Sequence, residues 1–191
     1  MSIAISGVYT YQDYSKLGNE IFEIIDGERK NMTPAPSYEH QDIQSTIVRI
    51  LINYIFDNKL GKLLFAPIDV ILDNKNVVQP DILFLSNEKR NLIQKRGIFG
   101  APDLVIEIIS PSSRYRDIFE KKELYEKFGV KEYWLVDYYM KNIEILVLDE
   151  NNKYKLYSEG SLQERENEQE KVILKSNVLS ELELDLEEIF N

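Results

Sequence analysis

The sequence contains no cysteine. Disulfide cross-links, thiolate metal ligands and cysteine nucleophiles are therefore excluded. The opening MSIAISGVYTYQDYSK has neither a basic start nor a long apolar run, so it does not read as a signal peptide. No stretch approaches the roughly 20 apolar residues of a membrane span. Internal repeats, low-complexity tracts and a clear linker are missing as well. Positive charge is in short supply, 23 Lys and Arg against 33 Asp and Glu, for a net charge of −10. An acidic surface repels phosphate backbones at long range, which argues against a tight, non-specific nucleic-acid binder. It leaves room for a local basic patch or a metal-neutralised site. The expectation is a soluble, cytoplasmic protein with no membrane partner.

What is present suits a globular chain. Its 191 residues suffice for one ordinary domain with a sizeable core, and a single domain over 1–191 is expected. Apolar residues make up 43% and charged residues 29%. IFEIIDGERKNM reads as a hairpin turning at Asp26-Gly27. TPAPS breaks the chain, and a helix follows from about Ser37 to Phe56. On its wheel Ile43, Ile47, Leu51, Tyr54 and Ile55 lie within about 60° of His40, which centres the apolar face on the single histidine. LLFAPIDVIL and VVQPDILFLS read as an antiparallel pair joined at Asp73-Asn74-Lys75-Asn76. PDLVIEIIS is apolar on both faces, as a central strand should be. SPSS supplies helix caps, and RDIFEKKELYEKFG reads as a helix ending at Gly129. KEYWLVDYY and IEILVLDE are strands, YKLYSEG and KVILKS are candidates, SLQERENEQEK is a solvated loop, and LSELELDLEEIF reads as a short closing helix. The order predicts an α/β or α+β fold with a mixed central sheet.

Two apolar strands each carry a carboxylate. Asp103, Val105 and Glu107 share one face of their strand because side chains alternate. A lone buried carboxylate costs several kcal/mol, so Glu107 needs a cation, a proton or a metal. The next helix offers a cation. With Lys121 at zero on a wheel of about 100° per residue, Phe128 falls about 20° away, Tyr125 about 40°, and Ile118 and Leu124 about 60°. Lys121 thus sits in the apolar stripe, while Lys122 lies about 100° round on its flank. A lysine in a buried stripe needs a partner, and the short SPSSRYRD connection brings it to Glu107. Asp81 stands on the preceding strand, which can lie beside Glu107's. Two acids and a lysine at adjacent strand ends can hold a divalent cation such as Mg²⁺ or Mn²⁺ and activate water, an arrangement suited to phosphodiester cleavage. Asp103 reads as a structural residue at the start of its strand. For His40, satisfied core packing stands beside help in positioning phosphate or water. Asp69 is a weaker candidate acid. Trp134, Tyr133, Tyr138 and Tyr139 read as core or dimer surface, with base stacking as the rival.

The succession QPDILFLS, APDLVIEIISPSS and RDIFEKKELYEKFGVKEYWLVD resembles the putative restriction-endonuclease family of bacterial proteins, within the PD-(D/E)XK nuclease superfamily. IDGERKNMTPAPSYEHQ and LELDLEEIF fit it too, so the resemblance runs from about Glu23 to Phe190. It implies a restriction-endonuclease-like mixed central sheet flanked by helices, with a β-rich C-terminal extension. It matches Asp81 to the Pro-Asp acid and Glu107 to the second acid. It makes the Ile108 carbonyl a metal ligand and Glu28 an accessory acid, against the reading of Glu28 as a solvated hairpin residue. The superfamily's lysine two residues after the glutamate is replaced by Ile109, and Lys121 on the following helix takes its place. The implied activity is a Mg²⁺- or Mn²⁺-dependent endonuclease acting on nucleic acid, DNA first, as a homodimer. A nuclease-fold binding module without catalysis and a phosphoesterase acting on RNA or nucleotides remain open beside it.

Overall fold

A computed structural model of the chain describes residues 7–16, 20–32, 35–165, 167 and 170–191. After one helical turn, α1 (Tyr11–Tyr14), the expected hairpin forms from β1 (Phe22–Ile25) and β2 (Glu28–Asn31). Asp26 and Gly27 take φ of 48° and 81°, the positive pair that a two-residue hairpin turn demands. Part of the TPAPS break, 33 and 34, lies outside the described residues. Ser37 caps α2 (Tyr38–Asp57), its hydroxyl accepting from the His40 amide. The helix buries His40, Ile43, Gln44, Ile47, Leu51 and Ile55, the stripe that its period gathers.

The next segment departs from a simple pair of strands. LLFAPIDVIL yields β3 (Gly61–Phe65) and β4 (Val70–Asp73), and VVQPDILFLS yields β5 (Asn76–Val78) and β6 (Ile82–Ser86). β4 pairs antiparallel with β5 across the expected turn, and β3 pairs antiparallel with β6. The two halves join different sheets. Each break falls at a proline, Pro67 or Pro80, which has no N–H to give a ladder.

A 3₁₀ turn (Asn87–Leu92) and the small pair β7 (Ile93–Gln94) and β8 (Gly97–Phe99) lead to β9 (Leu104–Ile109), buried along its whole length. The following helix is not uniform. Arg116–Lys121 is wound as a π-helix, and α3 (Lys122–Phe128) continues as an α-helix until Gly129 closes it at φ 78°. β10 (Glu132–Asp137) returns parallel to β9, completing a strand–helix–strand crossover. β11 (Asn142–Leu148), β12 (Tyr154–Ser161), β13 (Ile173–Lys175), β14 (Glu183–Asp185) and α4 (Leu186–Phe190) finish the chain. Within the polar stretch 161–171, residues 166, 168 and 169 lie outside the described residues. LSELELDLEEIF, expected as a helix, is helical only from Leu186. Leu182, Leu184 and Leu186 are buried in alternation, the strand period, and β14 pairs with β13.

One six-stranded sheet runs β2-β1-β5-β4-β8-β7 and the other β12-β11-β10-β9-β6-β3. Both are mixed, with β4 parallel to β8 in the first and β9 parallel to β10 in the second. The fold is α+β, and its C-terminal part is rich in strand, as expected. One face of the second sheet packs Ile82, Ile106 and Trp134 against Ile47 and Leu51 of α2. The other face packs Leu83, Val105 and Leu135 against Leu124 and Tyr125 of α3 and against Ile25, Val70 and Ile98 of the first sheet. Trp134 and Tyr133 are core residues; Tyr138 is half-buried and packs against the core, Tyr139 is exposed, and both border a cleft.

Candidate active site

β6 and β9 are antiparallel neighbours in which Ile82 faces Ile106. That register sets Asp81, just before β6, opposite Glu107 in the interior of the sheet. Both belong to the face covered by the crossover helix and the first sheet. Between these layers a cleft of about 570 Å³ opens, lined by Asp81, Glu107, Ile108 and Lys121, with His40 and Asp117 beside them.

Lys121 is the hub. Its side chain is 4% exposed, and its Nζ lies 2.9 Å from Glu107 Oε1 and 2.9 Å from Glu23 Oε1. Asp117 Oδ1 is 3.7 Å away on the same π-helical segment. Four residues apart, Asp117 and Lys121 lie on one face of this segment, and both are buried. Burial alone would favour a neutral amine, but Glu107, Glu23 and Asp117 hold the Lys121 ammonium well above its ordinary value. Glu107 is pushed the other way. Burial drives its carboxyl well above the usual carboxylate range, Lys121 opposes this, and Asp117, Asp81 and Glu23 add to it. Burial likewise raises the Asp117 carboxyl. Tyr125 donates to Glu107 Oε1 at 2.8 Å.

Asp81 is held from two sides. The Ile108 amide donates to its Oδ2 at 2.7 Å, and His40 Nε2 lies 3.3 Å from the same oxygen. Gln44 donates to the Asp81 carbonyl at 2.8 Å. Burial pulls the His40 imidazole down, but Asp81 and the Ile108 backbone outweigh it and hold the ring above its ordinary value. His40 Nδ1 is buried and has no hydrogen-bond partner among the described residues.

The hydrogen bonds to Glu107 fall on Oε1, and the contacts to Asp81 fall on Oδ2. The other oxygen of each acid is the one a ligand would use. Three carboxylates, Glu23, Glu107 and Asp117, surround one buried ammonium, and Asp81 lines the same cleft. That excess of hard oxygen donors suits a divalent cation such as Mg²⁺. Among the described residues, no three His, Asp or Glu side chains converge as a ready-made metal cage.

A family model described as Uma2, putative restriction endonuclease, matches residues 10–187. The chain belongs to this family. The solved structure of a putative nuclease of the DUF820 family from Anabaena variabilis is similar in fold, with a TM-score of 0.74 and 18% identity over 95% of this chain and 97% of that one. No curated protein matches. For an Uma2 protein, the restriction-endonuclease-like architecture and a nuclease-like assignment follow from these likenesses. Among the described residues no helix is long and apolar enough to cross a membrane.

Of the residues picked from the Uma2-like sequence, the structure gathers Asp81, Glu107, Ile108, Lys121 and His40 at one cleft. It does not bring Glu28 there. Glu28 follows the hairpin turn, its side chain is 75% exposed, and it pairs with Lys30 at 3.0 Å. The acid that β1 delivers is Glu23, fully buried and held by Lys121, by Arg116 at 3.1 Å and by the Gln79 amide at 2.9 Å. Its signal was legible, because IFEII is an apolar strand interrupted by a glutamate, the same pattern that singled out Glu107. Asp117 carried a weaker signal, four residues before Lys121. Asp69 accepts from Tyr14 and Gln79 outside the acid cluster. Asp103 is structural: it accepts from the Ser86 amide and pairs with Lys131 and Lys89.

Proposed function

We propose that the protein is a divalent-metal-dependent phosphodiester hydrolase, an endonuclease acting on DNA. The observation that carries this reading is the buried Lys121 ammonium, shared by Glu107 and Glu23 at the wall of a cleft whose facing acid is Asp81. Asp81, Glu107 and the Ile108 carbonyl would hold Mg²⁺ or Mn²⁺. Such an ion, when bound, polarises a phosphoryl oxygen and lowers the pKa of water.

The chain's own groups do the rest. Lys121 places a fixed positive charge beside Glu107, where it orients an attacking water and offsets negative charge on the phosphate. Glu23 and Tyr125 hold Lys121 and Glu107 in that geometry. His40 steadies Asp81. A second, shallower cleft shares Ile21, Pro67 and Gln79 with the first and is bordered by the exposed Lys95 and Arg96. The acids Glu20 and Asp69 line that second cleft too, so the two cations are balanced there. A homodimer would present two such sites.

The test is cleavage of a panel of single-stranded DNA, duplex DNA, RNA and nucleotides with Mg²⁺ or Mn²⁺. Wild type should cut DNA, and a folded Glu107→Gln protein should not. A wild type inert on every member of the panel would leave a binding module on a nuclease fold. A preference for RNA or nucleotides would move the reading to that phosphoesterase class.

A further inference from the structure

We propose that Tyr138 and Tyr139 form a stacking platform for an unpaired nucleobase at the mouth of the cleft. The inference rests on the nuclease reading of that cleft and names the form of its substrate, a strand whose base beside the site is not held in a duplex. The two rings stack with centroids 4.4 Å apart and planes at 29°. Tyr138 is anchored: it packs against the core, and its hydroxyl lies 3.5 Å from Ser37 Oγ. Tyr139 is 60% exposed, and among the described residues its ring stacks on Tyr138 alone. Both border the same cleft as Asp81, Glu107 and Lys121.

The turn that carries the rings is fixed by groups that leave the aromatic faces alone. Asp137 Oδ1 accepts from the Tyr139 and Met140 amides at 3.1 and 3.0 Å. Asp137 Oδ2 is paired with Arg114. The Gln163 side chain donates to the Tyr139 carbonyl at 3.1 Å. The platform is therefore pre-formed, and a base that lands on it does not have to order it. Arg114 keeps a half-exposed side chain beside the turn, where a phosphate attached to the stacked base would meet a cation.

An aromatic face accepts any base, because every base has a π-face. A base inside a duplex already has both faces covered by its neighbours. Stacking on Tyr139 thus selects single strands, flaps or bubbles over continuous duplex. It also answers the acidity of the surface: with a net charge of −10, attraction for phosphates is weak, and contact with bases must carry much of the binding.

The experiment uses a short DNA strand carrying the fluorescent adenine analogue 2-aminopurine, alone and annealed to its complement, titrated with the full chain in metal-free buffer. Wild type should bind the single strand more tightly than the duplex and quench the fluorophore. Tyr139→Ala, shown to be folded by circular dichroism, should weaken single-strand binding roughly tenfold, in the range for one base–aromatic stack, and abolish the quenching. Tyr139→Phe should retain both. The proposal is overturned if Tyr139→Ala binds like wild type, if duplex binds as tightly as single strand, if neither form binds, or if light scattering shows that the substitution changes only the oligomeric state. Cleavage assays with Mg²⁺ separate the two readings. Binding that depends on Tyr139 without any cleavage leaves the platform and removes the nuclease. Cleavage that Tyr139→Ala leaves unchanged does the reverse.

Discussion

Lys121 and Lys122 are neighbours in sequence with opposite surroundings. Lys121 is locked between two carboxylates, and Lys122 is half-exposed outside the acid cluster. Lys121→Ala should reduce cleavage per folded molecule by about 10²-fold or more, the range for a single catalytic group. Lys122→Ala should change it little. Equal losses would remove Lys121 from its role. His40 is nearer the chemistry than core packing alone would place it, since its Nε2 meets Asp81. Loss of a group that orients a metal ligand costs about 10- to 100-fold in activity or metal affinity, and His40→Gln should fall in that range. The imidazole is held above its ordinary value of 6.5 by Asp81 and the Ile108 backbone, against the pull of burial. The stability it contributes is therefore full below about pH 6.5 and fades as pH rises through the folded-state value. Urea unfolding of wild type and His40→Gln at about pH 6 and about pH 9 should show the gap shrinking at the higher pH. A gap that widens would mean that the neutral ring is the stabilising form.

Asp103 works between elements. It opens β9, receives the Ser86 amide from the end of β6 at 2.9 Å, and pairs with Lys131 just before β10 at 2.9 Å. Burial would raise its carboxyl, but Lys131 and the Ser86 amide together hold it below the usual range. Its contribution is thus present above about pH 4 and lost as pH falls through the depressed value. Asp103→Asn should cost about 1–3 kcal/mol near neutrality in urea melts, and the cost should diminish in acid. At this scale much was legible in the sequence. The Asp26-Gly27 turn, the Ser37 cap and the Gly129 stop are local signals, and each element ends where its residue dictates. Lys121's inward direction came from helical period alone, and it survived the π-helical winding that no period predicts. What stayed hidden depended on distant partners. Pro67 and Pro80 mark breaks, but nothing local says that the strands on either side join different sheets. Glu23 was missed because a short hairpin strand gives few neighbours from which to infer burial, although its apolar flanks match those of Glu107. The Leu182, Leu184, Leu186 alternation lost to the helix-forming composition around it.

The whole molecule places its acids where metal should tie the layers together. A ligand bound only to the native state stabilises by about 2.7 kcal/mol at a hundredfold excess over Kd. For a chain of this size that corresponds to a rise of roughly 5–11 °C in Tm. Wild type should show such a shift with millimolar Mn²⁺ in a thermal melt. Glu107→Gln, which removes a buried carboxyl of raised pKa while keeping its shape, should melt at or above metal-free wild type and lose most of the shift. A Glu107→Gln protein that melts far lower and still responds fully to Mn²⁺ would make Glu107 a structural acid. One domain is expected across both sheets, because Glu23, Leu83 and Tyr125 draw them together around a shared interior; urea unfolding should give one transition at every probe. A curve with two steps would divide the chain.

The site's construction has a consequence for the cell that makes the protein. Glu23 comes from one sheet, Asp81 and Glu107 from the other, and Lys121 from the crossover helix between β9 and β10. A growing chain that ends before Lys121 lacks the ammonium that Glu23 and Glu107 share. On the proposed function, a half-made copy on the ribosome, shorter than 121 residues, cannot cut the genome beside it.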